Sequence, residues 1–412
     1  MDTKKILDGV KVAELSTFVA APSCARTLAE WGADVIKIES LKGDAGRVFG
    51  QNYKTPTEEE ENPLFETNNA NKKSICINIK TPKGKEALYK ILEKSDVFVT
   101  NVRSASLKKE GLDYETLKQK FPGLICGHIL GYGENGKDRD KAGFDYTAYF
   151  ARGGVMGPLM EKGSSPINPA VGFGDNQAGL FLTAGICAAL YKKAKTGMGE
   201  RITVSLYHTG VYDSDLMVAA TKYLSDKDKW PMTRTAPSSP LINSYKCKDG
   251  IWLEICIQEY NRYLVPFCKA IGREDLIANE KFDNVTHASA HAQEMTAIIQ
   301  DEIAKKDFND WNTRFRAADL AFEKIQSWDD ILNDPQAWEN DILREIHYEN
   351  GHTGVLVNSP IKFQDMGLPE LKPAPRLGAD TDAVMKDLGY SEEEITQLKL
   401  EKSIGGMQRL KV

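Results

Sequence analysis

Along the first 130 positions, short apolar runs alternate with amphipathic stretches. Residues 9–15 and 34–39 read as strands. Between them a turn at Pro22 leads into a helix over 23–31 that Gly32 ends. Residues 43–63, rich in Gly, Glu, Thr and Asn, read as a polar loop. Strands over 74–79, 97–101 and 124–130 then alternate with helical patterns over 82–94 and 114–120. Such alternation predicts an α/β fold with a mostly parallel sheet covered by helices on both faces. Ligands of such sheets bind beyond the carboxyl ends of the strands.

Further on, residues 178–190 form a small-residue, apolar run that reads as a buried helix, with Lys192 and Lys193 at its end. Thr196-Gly-Met-Gly199 turns the chain into a strand over 201–206, and a long helix is expected over 207–224. The polar run 225–229 and the segment Thr235-Ala-Pro-Ser-Ser-Pro240 read as linkers. The composition then changes: residues 245–247 and 251–257, joined at Lys248-Asp-Gly250, predict a β-hairpin, and helical segments follow to about Phe322. Strand signals at 342–348 and 354–357, a proline-rich segment and a helical pair over 381–388 and 391–400 complete the chain. These patterns divide it into a large domain over 1–225, a smaller α+β domain over 226–330 and a segment over 331–412 that returns to the large domain.

Composition narrows the function classes. In 412 residues, 27% are charged and the net charge is −6, which describes a mildly acidic globular protein and argues against nucleic acid as its partner. No run reaches the roughly 18 apolar residues of a membrane span. The first residues lack the apolar core of a signal peptide, so a cytoplasmic location is expected. The cysteines at 24, 76, 126, 187, 247, 256 and 268 form no CxxC pair and read as small buried hydrophobes. His287 and His291 are four apart but lack an HExxH context, so no metal site is expected. The first strand is not followed by GxGxxG, which removes support for a dinucleotide fingerprint.

Candidate chemistry centres on Asp175, in Val171-Gly-Phe-Gly-Asp-Asn-Gln-Ala-Gly-Leu180. An aspartate at a helix mouth accepts backbone N–H groups, either as an ordinary N-cap or as an ionised nucleophile beside glycines that admit a substrate. The second reading also makes the neighbouring glycine amides candidate oxyanion donors. Two stretches fall at strand ends: Asn68-Asn-Ala-Asn-Lys-Lys73, and Asn101-Val-Arg103 with Lys109 shortly after. Amides and cations there suit either solvated loops or an anionic, phosphorylated ligand. Residues 143–154, aromatic and edged by glycine, read as a pocket wall or as core.

In order along the chain, residues 9–15, Gly32-Ala-Asp-Val-Ile-Lys-Ile-Glu39, Asn71-Lys-Lys-Ser-Ile75, Gly174-Asp175 and Pro373-Ala-Pro-Arg-Leu-Gly378 resemble the class III CoA-transferase (formyl-CoA transferase, carnitine CoA-transferase) family over essentially the whole length. Gly131-Tyr-Gly-Glu-Asn-Gly136 and residues 143–155 carry a closer likeness to its 2-hydroxyacid branch, found in amino-acid-fermenting anaerobes. The resemblance implies a large Rossmann-like domain, a smaller α+β domain and an interlocked homodimer. It implies transfer of CoA from an enoyl-CoA to an (R)-2-hydroxy acid such as 2-hydroxyisocaproate, in leucine breakdown. A phenyllactate or carnitine-type CoA-transferase is the alternative. CoA thioesters then serve as substrates, with no tightly bound cofactor and no metal, and a 2-hydroxyacyl-CoA dehydratase is an implied functional partner. Asp175 takes the place of the family's catalytic aspartate. CoA contacts fall on Phe18, Val19, Ala20, Asn71, Lys72, Asn101, Val102, Arg103, Lys109 and the neighbourhood of Phe144.

Three departures from the family pattern matter. Val19 stands where some members carry a polar glutamine. Residues 236–240 replace a glycine-rich flap. Phe144 stands where related racemases carry a histidine base, and a phenyl ring cannot exchange an α-proton.

Overall fold

A computed structural model describes residues 5–58, 60–225 and 230–407, so positions 226–229 of the expected linker lie outside the described residues. The chain forms two compact units, one from residues 1–155, 169–220 and 336–412, the other from 156–168 and 221–335. Residues 156–168, assigned from the sequence to the large domain over 1–225, therefore cluster with the second unit.

The first unit is built on six parallel strands: β1 Lys11–Leu15, β2 Asp34–Glu39, β3 Lys73–Ile77, β4 Val97–Thr100, β5 Ile125–Leu130 and β6 Arg201–Ser205. Their spatial order is β3-β2-β1-β4-β5-β6, which is that of a doubly wound sheet. Strands β4 and β5 are buried throughout, as strands covered on both faces must be, and read accordingly as continuous apolar runs. The order reverses between β1 and β4, so the loops after Leu15 and Thr100 open side by side.

Two helices dominate one face. Helix Ala20–Glu30 is buried over most of its surface by Ala21, Cys24, Ala25 and Leu28. It packs against Phe173–Thr196, and the small residues on both allow a close approach. A methyl group at Gly179 would lie 2.0 Å from the Ser23 hydroxyl, so no side chain fits there.

The second unit holds a three-stranded antiparallel sheet of β7 Ile242–Lys246, β8 Trp252–Cys256 and β9 Phe322–Lys324. Its core gathers Tyr245, Leu253, Phe267, Phe282, Met295, Trp311 and Phe315, and the two polar tips are satisfied by Tyr245 Oη–Pro240 O (2.6 Å) and Trp311 Nε1–Ile303 O (2.8 Å). Back in the first unit, the two expected strands β10 Leu343–His347 and β11 Thr353–Val357 pair antiparallel as a hairpin. A two-residue strand, β12 Ile404–Gly405, adds antiparallel to β3.

Several expectations change. The polar loop over 43–63 contains a 3-10 helix, Ala45–Tyr53, held by buried ion pairs rather than apolar periodicity. Helices Pro63–Asn69 and Ser104–Glu110, of seven residues each, fall where the sequence pattern predicts none. The long helix over 207–224 is broken at Ser214 into Leu206–Asp213 and Asp215–Thr221. Five cysteines are buried, Cys187 is half-buried and Cys256 is exposed on β8; none forms a disulfide among the described residues. No helix among those residues is long and apolar enough to cross a membrane.

Candidate active site

Helix Phe173–Thr196 begins well ahead of the apolar run over 178–190, and this changes the role of Asp175. The N-cap is Gly172, at φ +94°, a conformation that glycine adopts freely. Asp175 is the third residue of the first turn and caps nothing. The donors it was expected to accept go to Asp145 instead. The Gly172 N–H donates to Asp145 Oδ2 (2.7 Å) and the Gly174 N–H to Asp145 Oδ1 (3.0 Å). Those glycine amides are therefore engaged and do not form an oxyanion hole.

Asp145 is buried. It opens a π-helical segment, Asp145–Arg152, of the wide-turn kind that often marks functional sites. Burial raises its pKa, and the amides of Gly172, Gly174, Asp175 and Phe173 only partly offset that rise. Asp175 has no hydrogen-bond donor among the described residues. Burial, and then the neighbouring Asp145 charge, push its carboxyl up to about 7. One carboxylate thus absorbs the helix N-terminus and leaves the other unpaired, partly buried and basic. A carboxylate in that state is suited to nucleophilic attack, since few hydrogen bonds would have to break first.

The surrounding scaffold leaves little slack. Tyr149, from the π-helical segment, lays its ring over Gly174, where a methyl group would come within 2.1 Å of a ring carbon. Its hydroxyl donates to Asp213 Oδ2 at 2.8 Å. Tyr149 and Phe150 are buried beneath the site, so they support it rather than line it. The rings that reach solvent are Phe144 (59% exposed), Phe173 (58%), Phe18 and Tyr146. Phe18 and Phe144 meet edge to face, with centroids 6.2 Å apart, and Phe150 and Phe173 do so at 6.1 Å.

Of the strand-end residues, Phe18, Val19, Ala20, Asn101 and Val102 gather with Phe144 at the reversal point of the sheet. Asn101 clamps the neighbouring turn: Thr17 N–H donates to its Oδ1 (3.1 Å) and its Nδ2 donates to Thr17 O (2.7 Å). Phe18 follows in the left-handed region at φ +63°. Val19 caps helix Ala20–Glu30 and lies beside Gly172, where an added methyl carbon would sit 3.9 Å from Val19 Cγ1. The Val102 carbonyl is held by His128 Nε2 at 2.8 Å; burial lowers that imidazole's pKa to about 4, so it is neutral and donates through Nε2. Arg103 and Lys109 are exposed at the start and last turn of Ser104–Glu110.

Asn71 and Lys72 are placed differently. Asn71, at φ +65°, binds the C-terminal segment: its Nδ2 donates to Glu370 O, and Lys372 N–H donates to its Oδ1. Lys72 is buried. Its ammonium meets Glu14 Oε2 at 2.7 Å and donates to Pro22 O and Asn69 Oδ1, so its donors are engaged within the protein. It belongs to a network that sequence reasoning missed. Lys37 bridges Glu14 (3.1 Å) and Asp44 (2.9 Å), while Arg47 makes two bonds to Glu39, at 2.8 and 2.7 Å. Burial pushes the Glu14 carboxyl up, but Lys37 and Lys72 outweigh it and hold it below its ordinary value. Burial likewise opposes ionisation of Glu39, yet Arg47 and Lys37 bring its pKa down to about 2. The signal was present: Glu14, Lys37 and Glu39 are charges inside strands otherwise built for burial.

Among the described residues, no group of three or more His, Cys, Asp or Glu is arranged to hold a metal ion. The profile of CoA-transferase family III matches residues 7–381. The chain is 50% identical over 394 residues to an (R)-2-hydroxy-4-methylpentanoate CoA-transferase of Clostridioides difficile, covering 96% of this chain and 98% of that one. It is 43% identical over 400 residues to a cinnamoyl-CoA:phenyllactate CoA-transferase of Clostridium sporogenes, covering 97% of each. The crystal structure of a CAIB/BAIF family protein from Brucella suis superposes with a TM-score of 0.80 at 26% identity, over 93% of this chain and 99% of that one.

Proposed function

The chain belongs to CoA-transferase family III, and from that premise we propose that it moves CoA from a 2-enoyl-CoA or other acyl-CoA to (R)-2-hydroxy-4-methylpentanoate, with Asp175 as nucleophile. The observation that carries the reading is Asp175 itself: unpaired, partly buried, of raised pKa and two residues after the exposed ring of Phe173 on the same helix.

The chemistry needs no proton taken from carbon. Asp175 attacks the donor thioester carbonyl, giving a mixed aspartyl anhydride and releasing CoA thiolate, the conjugate base of a thiol of pKa about 8.5. The thiolate attacks the aspartyl carbonyl, forming an aspartyl-CoA thioester and releasing the donor acid. The acceptor carboxylate then displaces the thiolate, making a second anhydride. Attack of the thiolate on the acceptor's acyl carbonyl yields the new thioester and restores Asp175. Dividing one exchange into successive acyl transfers lowers each barrier.

Because Asp145 occupies the amides of Gly172 and Gly174, charge on the carbonyl oxygen needs another donor. The first N–H groups of helix Ala20–Glu30 have no intrahelical partner and begin beside Gly172. The rings of Phe18, Phe144, Tyr146 and Phe173 suit an apolar acyl chain, branched or phenyl. With Phe144 in place of a histidine, α-proton exchange has no second base there. CoA thioesters act as substrates with no tightly bound cofactor, and the enzyme works as a homodimer in the cytoplasm. Its product, a 2-hydroxyacyl-CoA from leucine breakdown, is what a dehydratase would consume.

The test is a mass-spectrometric exchange assay with 4-methyl-2-pentenoyl-CoA or cinnamoyl-CoA and an equal mixture of 2-hydroxy acids. 2-Hydroxy-4-methylpentanoyl-CoA should dominate. Phenyllactyl-CoA as the main product would reassign the acid, and full activity in Asp175→Ala would overturn the mechanism.

A further inference from the structure

We propose that Asp44, a residue outside the expected substrate contacts, is the positioning residue that holds the turn at Phe18 against the Asp175 site; the proposal rests on Asp175 acting as the nucleophile. Phe18 adopts φ +63°, where a residue other than glycine needs an external restraint. Asn101 fixes Thr17 before it. Asp44 supplies the restraint on Phe18 itself, since its Oδ1 accepts the Phe18 N–H at 3.1 Å. The same oxygen accepts the Gly46 N–H at 2.8 Å, and Oδ2 faces the Lys37 ammonium at 2.9 Å.

That carboxylate cannot drift. Asp44 is 3% exposed, and Lys37 is fully buried between it and Glu14. The Asp44 N–H donates to Glu39 Oε2, and Glu39 is itself held by Arg47 and by the Ser74 hydroxyl. The turn is therefore tied to charged and polar side chains on β1, β2 and β3 together. Its geometry decides two contacts at the site: Phe18 against Phe144, and Val19 beside Gly172, the N-cap of the helix that carries Asp175.

Asparagine at position 44 has the same shape but cannot do the same work. Every oxygen of Asp44 faces a donor. An amide must therefore turn its NH2 either toward the Lys37 ammonium or toward the two backbone N–H groups. In both orientations the Phe18 restraint weakens. A displacement of about 1 Å at a covalent step costs on the order of 100-fold in rate.

The experiment measures kcat, KM for the acyl-CoA donor and the single-turnover rate of covalent adduct formation, read by intact-protein mass after rapid quench. Rates are expressed per titrated active site. Asp44→Asn should slow adduct formation and kcat about 10–100-fold while KM changes by about 3-fold or less. A purely structural role would lower the titre of active sites and leave the rate per site unchanged, which would overturn the proposal. Should Asp44→Asn not fold, Phe18→Leu and Phe18→Val decide. Both keep an apolar side chain, but a β-branched residue tolerates positive φ far less well than leucine. Valine slower than leucine by about 10-fold or more supports the positioned turn, and equal rates refute it. Wild-type protein that transfers CoA without carrying an adduct on Asp175 would refute the nucleophile reading instead; the kcat comparison would still judge Asp44.

Discussion

Replacing Asp175 by asparagine is expected to stabilise the protein while abolishing its activity. The carboxyl titrates at about 7 in the folded protein rather than near 3.8. At about 1.4 kcal/mol per pH unit, that gap corresponds to roughly 4 kcal/mol lost when the folded site is ionised. The folded pKa is the higher one, so the folded state binds more protons between about pH 4 and pH 7, and stability falls as pH rises through that window. The cost is complete above about pH 7 and absent below about pH 4. Asparagine removes the charge, but its amide still loses water at a partly exposed site, which leaves a net gain of about 1–3 kcal/mol. Thermal unfolding at pH 8 should show the first unit's midpoint rising by about 2–6 °C, at roughly 2 °C per kcal/mol for a domain of this size. The gain should shrink as the pH is lowered toward about 4.5. A variant no more stable than wild type at pH 8, or a gain that ignores pH, would refute the charge-burial argument.

The same carboxyl sets the pH profile: adduct formation should fall as pH drops through about 7, and a profile flat from pH 5.5 to 8 would remove Asp175 as the titrating nucleophile. Gly174→Ala forces a methyl group into the Tyr149 ring and should cost about 1–3 kcal/mol in denaturant unfolding together with most of the activity; a silent substitution would contradict the close packing. Lys72→Met leaves Glu14 half-paired and should cost about 3–5 kcal/mol, with KM for acyl-CoA unaltered in whatever folds. A selective, salt-sensitive rise in KM would return Lys72 to the ligand. Tyr149→Phe removes the bond to Asp213 and should lower stability by about 1 kcal/mol, as chemical denaturation would show.

How much of this was legible beforehand follows from what kind of force made each part. The strands β1 to β6 and helix Pro82–Glu93 are products of apolar patterning, and patterning is local, so they could be read to within a few residues. The hairpin of β7 and β8 announced itself through its turn at Lys248-Asp-Gly250. Asp175 stood out because glycines surround it, yet its relation to Asp145 depends on two segments about 30 positions apart meeting, which no local pattern encodes. Lys72 was misread for a related reason. A lysine among asparagines looks solvated until the chain brings Glu14 beneath it. The 3-10 helix Ala45–Tyr53 has few apolar residues because Glu39, Arg47 and Asp44 hold it by charge, so hydropathy saw only a loop.

The small strand β12 has a bearing on how the protein is made. Ile404 and Gly405 pair with Ile77 and Cys76, the Asn78 backbone N–H donates to Ser403 O, and Ser74 N–H donates to Asp380 Oδ2. Residues made early thus wait for residues made about 300 positions later, with most of the second unit translated in between. At about 5–20 residues per second, that interval is on the order of 15–60 seconds. Throughout it β3 is an open sheet edge able to pair with another nascent chain. Temperature, ribosome pausing and chaperone supply should therefore affect the yield of this protein by setting how long that edge stays open.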